Sequence, residues 1–267
     1  KQRITAKRIW ELLIEEGQRI GYSSVKNEVA RWKRTNAPRE VFILQEPLVG
    51  QRAEFDWGEV TLSIDGKWQK LYLTVFVLPF SLYRFARLYH RSTHLEVVQV
   101  HIDFFQEIGS VPETIFYDRM ATVYDSRKGQ FNDKFLELSM HFGFRPRVCN
   151  PASPNEKGTD EESVGYIRRA TFGEKITFAS LEDATQWLKT RLAEINKHPV
   201  YRRSKAPVQG LDQERALMHP LPTLEYENYE LKRAAISRYS LVKHDGNYYS
   251  VPDTYRPRYI TLKILVD

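Results

Sequence analysis

Three acidic stretches of this chain have the residue types and settings that suit phosphoryl transfer: Asp56 in EFDWGE, Asp118 in TIFYDRM, and Glu161 in NEKGTDEESVGYIRR. Asp56 falls inside a strand-like run, Asp118 closes one, and Glu161 lies in a helical stretch. Hard divalent cations take oxygen ligands, and two of them ~3.5–4 Å apart clamp the attacking and leaving oxygens of a phosphodiester. Carboxylates gathered from two strands and a helix would hold such a pair. Each acid also has an ordinary explanation. Asp56 fits an outward-facing strand position, and Asp118 fits a turn or a cap. Glu156, Asp160, Glu161 and Glu162 fit the first turn of a helix, where the macrodipole favours negative charge. The ordered set, rather than any one member, carries the chemical reading. Glu54 shares a face with Asp56 by period-two alternation and adds a fourth acid there.

The elements that must position these groups follow from hydrophobic spacing. Residues 5–34 read as two helices. Ala6, Ile9 and Leu13 share a face, Gly17 ends the first run, and Ser23 or Ser24 caps the second, where Val25, Val29 and Trp32 recur at helical spacing. Lys26, Arg31 and Arg34 lie away from that stripe, so residues 1–36 resemble a helix-turn-helix that meets DNA. Residues 37–50, with Pro38 and Pro47, read as a linker. Residues 51–200 carry the order β-β-β-α-β-α-β-α-α, a mixed α/β layer. In it Asp65-Gly66 makes a hairpin turn, Thr93, Asn132 and Ser180 cap helices, and a helix spans about 155–170. Residues 201–223 form a Pro-rich basic linker with Arg202, Arg203 and Lys205. Residues 224–267 read as short strands, with a turn at Asp245-Gly246, folded into a small β-barrel. Tyr248 and Tyr249 point to opposite faces there, which places one in the barrel core.

Composition narrows the partners. Lys and Arg total 40 against 34 Asp and Glu, a net of +6, and residues 1–40 hold ten Lys/Arg against five Asp/Glu, a net of +5. A basic end favours a polyanion. Cys149 is the only cysteine, so neither a disulfide nor a Cys-rich zinc site forms within the chain, as fits a reducing cytosol. Cys149 itself reads as a small buried thiol, and His101 and His141 as helical histidines with satisfied nitrogens. No run reaches 18 uncharged apolar residues, which argues against a membrane span. The start on Lys1 and the end on ILVD read as those of a fragment.

DWGE on a first strand, FYDRMATV at a later strand end, and NPASPNEKGTDEESVGYIRR on a helix resemble the DDE transposases of the retroviral integrase superfamily, above all the IstA-type transposases of bacterial insertion sequences. The likeness extends over nearly the whole chain. It implies an RNase H-like catalytic core between the helix-turn-helix and the β-barrel. It also implies two Mg²⁺ ions per site (or Mn²⁺) held by Asp56, Asp118 and Glu161. The family's Glu follows a Lys-Gly pair by three residues, here Lys157-Gly158. Asp160 stands where an apolar residue is usual, so Glu162 remains the alternative for the third acid. Glu161 lies 43 residues after Asp118, a longer interval than in retroviral integrases. Lys157, Arg168 and Arg169 would hold DNA backbone. The implied partners are transposon-end DNA, target DNA, a helper AAA+ ATPase and further copies of the chain. The implied place is the bacterial cytoplasm, at the nucleoid. Two rival classes fit fewer residues. A non-enzymatic DNA-binding regulator would keep the helices and lack activity. A two-carboxylate glycosidase would leave the basic N-terminus without a role.

Overall fold

The computed structural model describes residues 5–36, 48–118, 120–149, 160–200 and 204–266, without the side chains of Arg34, Asn36, Asp160, Glu161 and Glu162. The chain divides into two units, residues 1–44 and 45–267.

The first unit holds α1 (Ala6–Glu15) and α2 (Tyr22–Asn36). Thr5 caps α1 by accepting from the Arg8 backbone N–H, and Gly17 leaves it at φ 82°. The helices meet through Trp10, whose ring N–H donates to the Ile20 carbonyl at 2.9 Å and whose face receives Tyr22 edge-on. Val25 is buried, whereas Trp32, placed on the apolar stripe by its spacing, is exposed. The expected cap at Ser23 or Ser24 is corrected. The Gly21 carbonyl already accepts from Ser24 and Val25, so the helix begins at Tyr22.

The second unit is organised by one mixed sheet. Asp65 and Gly66 take left-handed φ of 50° and 70°, the primed hairpin geometry that matches strand twist, and join β1 (Arg52–Ile64) to β2 (Lys67–Leu78). β3 (Tyr83–Tyr89) completes an antiparallel meander. Next come α3 (His94–Ile108), β4 (Thr114–Tyr117), a small hairpin of β5 (Tyr124–Asp125) and β6 (Gln130–Phe131), α4 (Asp133–Phe142) and β7 (Arg145–Val148). Then follow α5 (Asp160–Phe172), β8 (Thr177–Phe178), α6 (Leu181–Lys197) and α7 (Pro207–Arg215). The sheet order is β3-β2-β1-β4-β7, with β4 parallel to β1 and to β7, and β8 paired to the far end of β1.

Strand alternation splits the core into two layers. Ala53, Phe55, Ile115 and Tyr117 face α3 and α4, where Phe76, Phe105 and Phe135 pack around His101 and Phe104 stacks on Phe76. Val60, Leu62 and Ile64 face α5 and α6, against Val164, Ile167, Phe172, Ala184 and Leu188. Each fully buried Phe or Leu contributes ~1.5–3 kcal/mol over its exposed state. Capping follows the expected residues. The Glu96 carboxylate accepts from both the backbone N–H and the hydroxyl of Thr93 at the start of α3, Ser180 accepts from Asp183, and Gly143 ends α4 in the left-handed conformation.

The expected mixed α/β layer is therefore present, and two expectations are corrected. The segment read as a linker contains α7, whose Leu211 and Glu214 are buried. Gly210 fits α7 to the β2–β3 turn, since a Cβ there would lie 2.7 Å from that of Ser81. The barrel is the second. β9 (Glu230–Ala235) pairs with β12 (Tyr259–Ile264) and β10 (Leu241–His244) with β11 (Asn247–Ser250). One bridge, Ile236 to Val242, joins the two ladders, and no closed barrel exists among the described residues. Val242 is the one buried residue of these four strands, too little apolar surface to draw them into a closed wall. Tyr248 and Tyr249 are accordingly both exposed, at 64% and 51%.

Candidate active site

Asp56 and Asp118 come together through sheet register. β1 and β4 run parallel with Phe55 opposite Tyr117, and the next residue on each chain is the acid. Phe55 and Tyr117 are buried in the α3 layer, so alternation turns Asp56 to the opposite face, the one α5 covers, and Asp118 follows directly on the end of β4. Neighbouring strands lie ~4.8 Å apart, which sets the scale of the gap between them. The Trp57 backbone N–H donates to Asp56 Oδ1 at 2.8 Å and orients that carboxylate. Beyond Asp118 the chain turns back at once, with the Met120 N–H donating to the Asp118 carbonyl at 2.7 Å.

Glu54 occupies the same face but is already committed. It is 2% exposed, and Arg52 binds its Oε1 at 2.6 Å while stacking on Phe116. The buried ion pair takes Glu54 out of a ligand role.

Glu161 stands in the first turn of α5. Val164, one turn further on, sits on Gly58, two residues along β1 from Asp56. From there α5 follows β1 toward Phe172, whose ring meets Phe178, the partner of Ile64. The turn that contains Glu161 therefore points back toward the Asp56 end of the strand. Among the described residues no group of three or more His, Cys, Asp or Glu could hold a metal, and the carboxylates of Glu161 and Glu162 lie outside them. The described donors are carboxylate oxygens, which suit a hard divalent cation. His101 and Cys149 are buried, and both His101 nitrogens are engaged.

The basic residues separate. Arg168, exposed on α5, donates to the Glu59 carbonyl at 3.3 Å along the edge of β1 between its β4 and β8 partners. Arg169 and Lys205 are exposed. In the first unit Lys26 is exposed and Arg31 pairs with Glu28 at 2.9 Å. Lys157, Arg202 and Arg203 lie outside the described residues, as does the side chain of Arg34.

Sequence reasoning read His101 as satisfied, as it is, but missed its partner Tyr117, the first of three omissions in this unit. The His101–Tyr117 pair supports the strand that ends in Asp118. His101 Nδ1 lies 2.6 Å from the Val97 carbonyl, which can only accept, so Nε2 is the acceptor for the Tyr117 hydroxyl at 2.8 Å. Burial pushes the His101 pKa down to about 3 and the Tyr117 pKa well up. Glu214 is the second. Burial pushes its pKa up to about 7, against the hydrogen bond it accepts from the Ser81 N–H at 2.7 Å. Gly58 is the third, and a lone glycine inside a strand was the available signal.

This mixed sheet with helices on both faces is a fold shared with a chain of a viral intasome. A chain of a simian T-cell lymphotropic virus intasome superimposes with a TM-score of 0.51 over 90% of this chain and 79% of that one, at 16% identity. A family model, the Mu-like transposase middle domain, matches residues 1–37. A transposase for insertion sequences IS1326/IS1353 from Pseudomonas aeruginosa is 30% identical over 244 residues, 89% of this chain and 48% of that protein. The transposase for IS21 from the same organism is 26% identical over 98% of this chain and 70% of its own length. The chain is similar to these insertion-sequence transposases along most of its own length, and it spans about half the length of the first of them. Among the described residues no helix is long and apolar enough to cross a membrane.

Proposed function

We propose that this chain is the DNA-processing part of a transposase that cleaves element ends at the 3′ side and joins them to target DNA. One observation supports the reading: Asp56 and Asp118 each follow directly on the Phe55–Tyr117 pair of neighbouring parallel strands, and the first turn of α5, which contains Glu161, lies toward the Asp56 end of β1. The relatives named as insertion-sequence transposases support it.

In this reading Asp56, Asp118 and Glu161, with Glu162 as the alternative to Glu161, would together hold two Mg²⁺ ions. Mn²⁺ would serve the same oxygen donors. The ions, when bound, supply positive charge to the attacking and leaving oxygens of an in-line displacement. The chain's own part is to hold its carboxylates in place, with the Trp57 N–H fixing Asp56, and to hold DNA. Arg168, Arg169 and Lys157 would contact the backbone near the site. Lys26, Arg31 and Arg34 on α2, acting as a helix-turn-helix, would contact the element end, and Arg202, Arg203 and Lys205 the flanking duplex. Holding two ends at once calls for at least two copies of the chain, and the transposase reading brings with it a helper AAA+ ATPase that selects the target.

The test is a labelled duplex ending in the terminal repeat of the chain's own element, incubated with Mg²⁺ or with EDTA. End cleavage and joining with Mg²⁺ alone, lost in D56N and D118N while end binding persists, is the expected outcome. Activity that survives EDTA, or that persists in both variants, overturns the reading.

A further inference from the structure

We propose that Gly58 and Val164 form a spacer that sets how closely α5 lies on β1, and thereby where the third carboxylate stands relative to Asp56 and Asp118. The inference rests on the reading above and adds two positioning residues to it. Gly58 lies two residues from Asp56 on the same face of β1. A Cβ built on Gly58 would fall 2.6 Å from Val164 Cγ1. Carbon atoms pack at ~3.5–4.0 Å, so any larger residue at position 58 must drive the helix off the strand by roughly 1 Å. Valine has no flexible end that could fold away, since its methyls branch at Cβ. Val164 is itself buried, with Ile167 and Phe172 pinning the rest of α5 to the same layer. The displacement is therefore taken up at the N-terminal end of the helix.

That end is the one that matters. Residue 161 precedes Val164 by three positions, about 4.5 Å along the helix axis. Because α5 runs from Gly58 toward the Phe178–Ile64 end of β1, residue 161 lies on the Asp56 side of the contact. A shift at Val164 is passed on to it with no intervening loop to absorb the change. Gly58 thus acts on the site through helix placement, without touching the reacting groups.

The full chain carrying G58A, G58A/V164A and G210A separates this from a loss of stability. G210A is the control. It creates an equally close contact, 2.7 Å to Ser81 Cβ, on α7 rather than on α5. G58A should lower the rate of end joining roughly 100-fold, the scale expected for ~1 Å of misplacement. It should also raise the Mg²⁺ concentration needed for half-maximal activity and weaken Mn²⁺ binding measured by calorimetry without DNA. Affinity for the end duplex should change little. G58A/V164A should recover most of both readouts, because the smaller side chain restores the gap. G210A should lower the melting temperature and leave Mn²⁺ binding as it was. Should G58A fail to fold, V164I, which crowds the same contact from the helix side, carries the same expectation. Normal Mn²⁺ binding and joining in G58A, or a folded double variant that recovers neither, overturns the proposal. Activity in D56N and D118N overturns the underlying reading instead.

Discussion

The Tyr117 hydroxyl donates to His101 Nε2 at 2.8 Å inside the aromatic core, one residue before Asp118 leaves the same strand. A neutral polar pair thus ties the end of β4 to α3. Removing the hydroxyl in Y117F leaves a buried acceptor without a partner, which costs about 1–3 kcal/mol. For a chain of this size the melting temperature should fall by about 2–4 °C per kcal/mol, read by thermal denaturation.

His101 and Glu214 give stability opposite slopes with pH. The His101 pKa is lowered from 6.5 to about 3, so its contribution is present above 6.5 and lost as pH falls toward 3. The Glu214 pKa is raised from 4.5 to about 7, so its contribution is present below 4.5 and lost as pH rises through 7. The E214Q variant should lose the second slope alone. Its melting temperature should rise more steeply than the parent's between pH 4.5 and 7, measured by melts across that range.

Arg52 neutralises the buried Glu54 two residues before Asp56. Replacing Arg52 with methionine strands that carboxylate in the core. The expected cost is about 3–5 kcal/mol in chemical denaturation, much of it recovered when Glu54 is made leucine as well.

Either Glu161 or Glu162 supplies the third acid in the proposed site. E161Q should abolish end joining and weaken Mn²⁺ binding, with E162Q close to the parent. Quantitative gel assays beside calorimetry decide between them, and the reverse pattern would move the assignment to Glu162.

Lys26 and Arg31 carry exposed charge on α2. If they meet phosphates, K26A and R31A should each weaken end binding and reduce the slope of log affinity against log salt by about 0.9. Fluorescence anisotropy at several salt concentrations measures it.

Local chemistry carried much of the fold. Asp65-Gly66 and Asp245-Gly246 could only be tight turns flanked by strand-forming residues, and both adopt positive φ. Thr93 and Ser180, each before a periodic helix, announced their own caps. The Pro-rich appearance of residues 201–223 concealed α7, because proline at the first helical position is indistinguishable in composition from proline in a linker. The barrel was over-read for a related reason. Alternation indicates strands, but it carries no information on which ladders close.

The amino-acid order by itself determined the acids, their strand or helix settings and the basic N-terminus, since these depend on residue type and short-range spacing. Only the tertiary structure decided that β1 and β4 lie side by side with Phe55 opposite Tyr117, that Glu54 pairs with Arg52, and that α5 rests on a glycine. Those facts follow from the register that sets Phe55 opposite Tyr117, 62 residues further along the chain, and from close packing across the sheet, which no local pattern encodes.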